Sequence, residues 1–270
     1  MDNLRSSDEV LPALFVPHGA PTFALRPGAA GAALSDFANA LPQPRAVIIA
    51  SAHWDTEVPT VGFAERLETI HDFAGFPKAL YDIRYPVTGC RELAECVARS
   101  IEHAGMPVRR DLTRGLDHGA WIPLRMMFPQ ADVPVIPVSI QSVGGPDFAY
   151  RLGQALAPLT HQGCLVVGSG SVTHNLRDYM IAARSTGLIP PYVRHFADWL
   201  ADRLSRHQTS DLLHYRDRAP DAVRAHPTEE HLLPLYIALG AGGPDATVQR
   251  FHAGIDDYVI AMDGYAFQSH

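Results

Sequence analysis

Cysteine is scarce: only Cys90, Cys96 and Cys164 occur in 270 residues, with no CxxC spacing. That excludes a zinc ribbon and a disulfide framework, and leaves reduced, buried thiols as the expectation. Charge is also sparse. Charged residues are 19% of the chain, the formal net charge is -7, and the basic clusters are no longer than pairs such as Arg109-Arg110. Nucleic acid and anionic membrane surfaces both need a clustered cationic face, so neither is an expected partner. No apolar run approaches the ~18 residues of a membrane span. The polar start MDNLRSSDEV lacks a signal-peptide core, and a cytoplasmic location follows as the expectation. A dinucleotide fingerprint is missing too. Gly168-Ser169-Gly170 follows an apolar run but lacks the third glycine and the acidic residue, so no nucleotide cofactor is expected.

What is present reads as one large α/β domain over residues 1–270, with hydrophobic residues at 47%. The 22 prolines are spread along the chain and punctuate loops. Val47 to Ala50 is a short continuous apolar run, the pattern of a strand buried on both faces. His53 and Trp54 follow at its carboxyl end, where open α/β sheets place their ligand sites. A lone histidine there reads more readily as a core residue bonded to a carbonyl than as a ligand, but the pattern recurs. Ala13–Val16 runs into Pro17 and His18, and Cys164–Val167 runs through a Gly/Ser stretch to His174. Three strand ends delivering one histidine each point to a shared metal or catalytic centre.

Between these runs, Ala29 to Leu41 has helical spacing, giving the βαβ rhythm of a sheet covered by helices. Tyr81–Tyr85 alternates as a strand, and Arg91–His103 places Leu93, Val97 and Ile101 on one helical face. The loop from Thr69 to Pro77 carries two aromatics and a histidine, as ordinary packing or as a substrate wall. Asp117 is placed to cap a helix from Ala120 to Phe128, leaving His118 by its positive end, where a neutral, proton-accepting imidazole is favoured. Val133–Ile140 reads as an edge or bulged strand because of Pro134 and Pro137. Phe148–Leu159 and Pro191–His207 read as helices. Thr228 reads as an N-cap with His231 in the first helical turn beside Glu230. Thr247–Phe251 and Tyr258–Met262 would complete a mixed sheet.

His18, His53 and His231, with His174 as a possible fourth, supply the donors of a mononuclear site with open positions. Without cysteine among them, the set suits Fe(II) or Zn(II).

Seven segments in order, PALFVPHGAP, SAHW, TIHDFAGFPKALYDIRYP, GLDHGAWIPL, PVIPVSI, GSGSVTHNL and HPTEEHLLPL, carry a resemblance over nearly the whole chain. It resembles the class III extradiol ring-cleaving dioxygenases, the protocatechuate 4,5-dioxygenase B-subunit-like superfamily, and most closely its 4,5-DOPA dioxygenase branch. The resemblance implies a three-layer αβα fold and a non-haem Fe(II) site that often carries zinc. It implies His18, His53 and His231 as metal ligands, His174 as base or extra ligand, and His118 as the acid/base group. Other class III enzymes use a glutamate as third ligand; His231 stands at that position here, and adjacent Glu230 keeps a two-histidine, one-carboxylate set open. The implied substrates are a small aromatic diol, DOPA-like or otherwise substituted, and O2, with ring opening to a muconic semialdehyde. A zinc-dependent hydrolase and a non-enzymatic metal-binding or interaction protein on the same fold are the alternatives.

Overall fold

A computed structural model describes residues 10–184 and 187–269; the polar start read above lies, but for its last residue, outside the described residues. An eight-stranded sheet runs in the order β4-β3-β5-β2-β6-β1-β10-β7. Its members are β1 (Ala13–Pro17), β2 (Ala46–Asp55), β3 (Thr60–Gly62), β4 (Arg109–Asp111), β5 (Val135–Ile140), β6 (Cys164–Gly170), β7 (Thr247–His252) and β10 (Gly264–Gln268). The centre, β5-β2-β6-β1, is parallel, while β10 and β7 add antiparallel to the β1 side. β8 (Ile255–Asp256) and β9 (Ile260–Ala261) form a separate two-stranded ribbon.

The helices are α1 (Gly28–Ala40), α2 (Lys78–Tyr81), α3 (Arg91–His103), α4 (His118–Met127), α5 (Gly145–Thr160), α6 (Leu176–Arg184) and α7 (Pro191–Ser205). Three short turns follow, α8 (Thr209–Leu213), α9 (Tyr215–Arg218) and α10 (Ala222–Ala225), before α11 (Leu233–Gly242). The pleat of β6 separates two layers. Ser169 turns to Gly119 at the start of α4, whereas Gly168 and Gly170 turn to the chain entering α11, because alternate residues of a strand face opposite sides. α1 packs on α4 and α5 packs on α11, giving the three αβα layers. Every residue of α11 is buried, as expected of a helix apolar all round that lies between a sheet and another helix. Among the described residues no helix is long and apolar enough to cross a membrane.

Several local readings are corrected. Tyr81–Tyr85 is no strand: Tyr81 ends the helical turn α2 behind Pro77, and the Tyr85 N–H donates to the Thr69 hydroxyl. β5 is an interior strand and not an edge. Pro134 falls just before it, and Pro137 within it is accommodated because β3 pairs with β5 only at Val61–Val138, and Gly62 leaves room for the Pro137 ring, which a Cβ there would approach to 2.5 Å. An irregularity in pairing does occur on the β2 side, between Ala50 and Asp55. Tyr258–Met262 gives only the ribbon strand β9, and β10 takes the place in the main sheet. α4 starts at His118, earlier than its apolar periodicity suggests, with Asp117 capping as read. Cys164 is buried, but Cys90 and Cys96 are only half-buried.

Candidate active site

The carboxyl ends of β1, β2 and β6 supply His18, His53 and His174, and the start of α4 and the turn before α11 bring His118 and His231 to them. His18 directly follows β1, held by its N–H to the Gly170 carbonyl. β2 outruns its last pairing with β6 at Ser51 and pairs again with β5 only at Asp55, which leaves His53 on a stretch of the strand with no ladder partner. His174 lies four residues past β6, with its N–H on the Ala225 carbonyl. The ring centroids of His18, His53 and His231 lie 4.9 to 5.3 Å apart. His118 packs 4.0 Å from His53, and His174 stacks on His231 at 3.5 Å and 9°.

Thr228 does not cap a helix through His231. Its hydroxyl donates to Glu230, and His231 sits in the turn before α11, its carbonyl accepting the Ser171 N–H. Gly168 and Gly170 permit this: a Cβ on either would lie 2.0 or 2.1 Å from the Pro234 or His231 carbonyl oxygen. The Gly-Ser-Gly stretch therefore serves close backbone packing beneath His231.

Hydrogen bonds fix which ring nitrogens face inward. The Ser169 hydroxyl donates to the Gly119 carbonyl and so can only accept from His18 Nδ1, 3.0 Å away. His18 Nε2 is then left with its lone pair. Gly119 has a spare carbonyl because Pro123, inside α4, has no N–H for the i−4 bond. His231 Nδ1 lies 3.1 Å from Glu230 Oε1, and His118 Nδ1 lies 2.9 Å from Asp72 Oδ2. Both are donors to carboxylates, leaving Nε2 as the bare nitrogen. His18 Nε2 and His53 Nε2 are 3.1 Å apart. Ligand nitrogens at ~2.0–2.1 Å from one ion stand about 3.0–3.4 Å apart in octahedral to tetrahedral arrangement, so this spacing fits a shared cation. The donor atoms of His18, His53 and His231 all lie within 4.8 Å of one another, as do those of His53, Asp72 and His118 and those of His174, Glu230 and His231.

His18, His53, His174 and His231 are held neutral. Burial first, then the neighbouring imidazoles, pushes His18 well below its ordinary value. Burial and then His118 bring His53 down to about 4, against the pull of Asp117 and Asp72. Burial also lowers His174 to about 4, with Glu230 opposing, and lowers His231. Burial would raise Glu230, but the hydrogen bonds it accepts, from His231 first and then Thr228, help hold it below the usual carboxylate range.

These side chains floor a cavity of about 460 Å³ walled by Phe73, Phe76, Leu176, Tyr179 and Ile260 and edged by Arg26 and Asp257. Asp257 and Tyr258 both have positive φ, 48° and 65°, in the turn between β8 and β9. Asp72 escaped the reading of residues: one carboxylate in a loop of aromatics carries no periodicity, and its partner is 46 positions away. The segment TIHDFAGFP did contain it. His226, near the last motif, is fully buried, and its Nε2–H donates to the Val172 carbonyl; it takes no part in the cluster.

Fold and site together define an α/β enzyme with a histidine-floored cleft at the strand carboxyl ends. Residues 29–267 match the family described as the catalytic LigB subunit of aromatic ring-opening dioxygenase, and the chain belongs to that family. His18 precedes the matched stretch. Similar proteins include the 4,5-DOPA dioxygenase extradiol of Beta vulgaris, 36% identical over 98% of this chain and 100% of that protein. That of Mirabilis jalapa is 39% identical over 78% of each. A crystal structure of an uncharacterized protein, JW3007, from Escherichia coli K12 superimposes with a TM-score of 0.79 at 28% identity, covering 95% of this chain and 99% of that one. The chain is accordingly an extradiol dioxygenase, which sets aside the hydrolase and non-enzymatic readings.

Proposed function

We propose that the chain acts as one catalytic domain that opens the ring of a substituted catechol with O2, next to the diol, to a muconic semialdehyde. The observation that carries this is the convergence of neutral imidazoles whose Nδ1 atoms, in His18 and His231, are occupied by hydrogen bonds, leaving Nε2 lone pairs toward one point. His18, His53 and His231 would hold a divalent ion. Three neutral donors suit Fe(II) and Zn(II) alike, and Glu230 then orients His231 from behind, as carboxylates do for metal-bound histidines. Bound Fe(II) would supply electron transfer to O2 and polarisation of the diol oxygens.

The chain's own residues do the rest. Phe73 and Phe76 give the aromatic ring an apolar wall. His118 Nε2 takes a diol proton and returns it to the leaving oxygen. His174, stacked on His231, stands as a second base or an additional ligand. Arg26 and Asp257 bring one charge of each sign to the cavity edge, matching an amino-acid substituent such as that of DOPA. Anaerobic loading with Fe(II), followed by oxygen-electrode assays on a catechol panel, tests the reading; no O2 uptake with any catechol overturns it. Arg26→Ala should raise KM several-fold for catechols bearing a carboxylate and leave KM for catechol itself unchanged.

A further inference from the structure

Asp72 lies in the loop between β3 and α2, and that loop is fixed on both sides. Before it, the Ile70 N–H donates to the Leu116 carbonyl at 2.8 Å, and the Trp121 indole donates to the Ile70 carbonyl at 3.0 Å. After it, Phe73 sets its ring 5.7 Å from His118 at 87°. The carboxylate engages His118 twice. Oδ1 accepts the His118 backbone N–H at 2.8 Å, and Oδ2 accepts Nδ1–H at 2.9 Å. The same Oδ2 lies 3.7 Å from His53 Nδ1, within ion-pair range but beyond a hydrogen bond.

We propose that Asp72 is a positioning residue that holds His118 in the Nδ1–H tautomer and aims its bare Nε2 into the cavity. A carboxylate can only accept, so the ring nitrogen facing it must carry the proton. With the backbone N–H of the same residue bound to the other oxygen, the ring also cannot swing away without breaking a second bond. Burial alone would raise the Asp72 carboxyl, but the hydrogen bonds from the His118 ring and backbone help bring it to about 2, consistent with a carboxylate that stays an acceptor. Asp72 touches no substrate in this role. It acts through His118, so its effect on turnover rests on the acid/base reading given above.

Asp72→Asn is the discriminating variant. Its amide oxygen can keep the backbone N–H, which leaves the amide NH2 facing Nδ1, and a donor there favours the Nε2–H tautomer. The base is then presented with its proton on the wrong nitrogen. Nitrogen-15 NMR of selectively labelled histidines in the metal-free protein should show His118 as Nδ1–H in the wild type and as Nε2–H in the variant. In the Fe(II)-loaded enzyme kcat should fall about 10²–10⁴-fold, the range for lost or mis-tautomerised acid/base catalysis, with KM and metal content unchanged. Should Asp72→Asn not fold, Asp72→Ala, which removes the acceptor without adding a donor, should give His118 in mixed tautomers. An unchanged His118 tautomer in the folded variant overturns the proposal, as does a loss of activity matched by equal loss of metal. If the wild type consumes no O2 with any catechol, the catalytic reading fails, and the tautomer measurement still decides the role of Asp72.

Discussion

At the scale of single residues, the choice between Glu230 and His231 sets the charge presented to an ion. Glu230 Oε1 already accepts from the Thr228 hydroxyl at 2.9 Å and from His231 Nδ1 at 3.1 Å. Its position is that of a partner behind the imidazole. A glutamine keeps the accepting oxygen, so Glu230→Gln should retain full metal content and most activity, with metal affinity weakened by about tenfold at most. His231→Ala should lose the metal while staying folded. Metal analysis of the two purified variants checks this, and the reverse pattern would make the carboxylate the ligand. His18, His53 and His174 were legible because each follows an apolar strand run, a pattern that survives in one dimension; His118 and His231 were legible through the helix-start motifs around them. Asp72 was not, because its significance lies in two hydrogen bonds to a residue from a distant helix.

At the scale of elements, the orientation of His18 depends on a break in α4. Pro123 cannot donate to the Gly119 carbonyl, which frees that oxygen for the Ser169 hydroxyl, which in turn accepts from His18. Ser169→Ala should therefore lower metal affinity about 10–100-fold, the scale for losing a partner behind a ligand, without unfolding the chain; metal titration of the variant measures it. Gly168→Ala should do the opposite, lowering Tm first. Its Cβ would stand 2.0 Å from the Pro234 carbonyl oxygen, and the required backbone shift costs roughly 1–3 kcal/mol or more. The clear periodicity of α3 made it readable to the residue, and α1, α4, α5 and α7 were readable to within a few residues at their ends. For β5 the prolines point to an edge or a bulge; the irregular pairing against β2 agrees with the second, while the interior place rests on a single β3 pairing beside Gly62, a property of the neighbour. β10 follows β9 after two residues, too close for local pattern to separate the ribbon from the main sheet.

At the scale of the whole molecule, folding buries five histidines in uncharged form, and this ties stability to pH. His53 and His174 are brought to about 4, and His226 to about 3, in each case chiefly by burial; His18 and His231 are lowered in the same direction. The unfolded chain takes up these protons near pH 6.5, and the native chain does not until the pH reaches its lowered values. Above about pH 6.5 both states are neutral and the histidines cost nothing. Below it the unfolded state binds more protons, so stability falls with pH, by about 1.4 kcal/mol per pH unit for each of His53 and His174 down to about pH 4 and in the same direction for the others. Asp263 works the other way. Burial pushes it up to about 6 against the pull of Arg250, so the native state binds its proton first and gains stability as pH falls from about 6 to 3.8. Asp256 is raised in the same direction, again by burial first, and two carboxyls against five imidazoles leave the net sign unchanged. Metal-free protein should therefore show a Tm that is level above pH 6.5 and drops steadily between pH 6.5 and about 4. Saturating Fe(II) or Zn(II) should move that drop to lower pH, because the ion and the proton compete for the same nitrogens. Thermal melts across this range, with and without metal, check both statements; a level Tm down to about pH 4.5 in the metal-free protein would contradict the burial of neutral imidazoles.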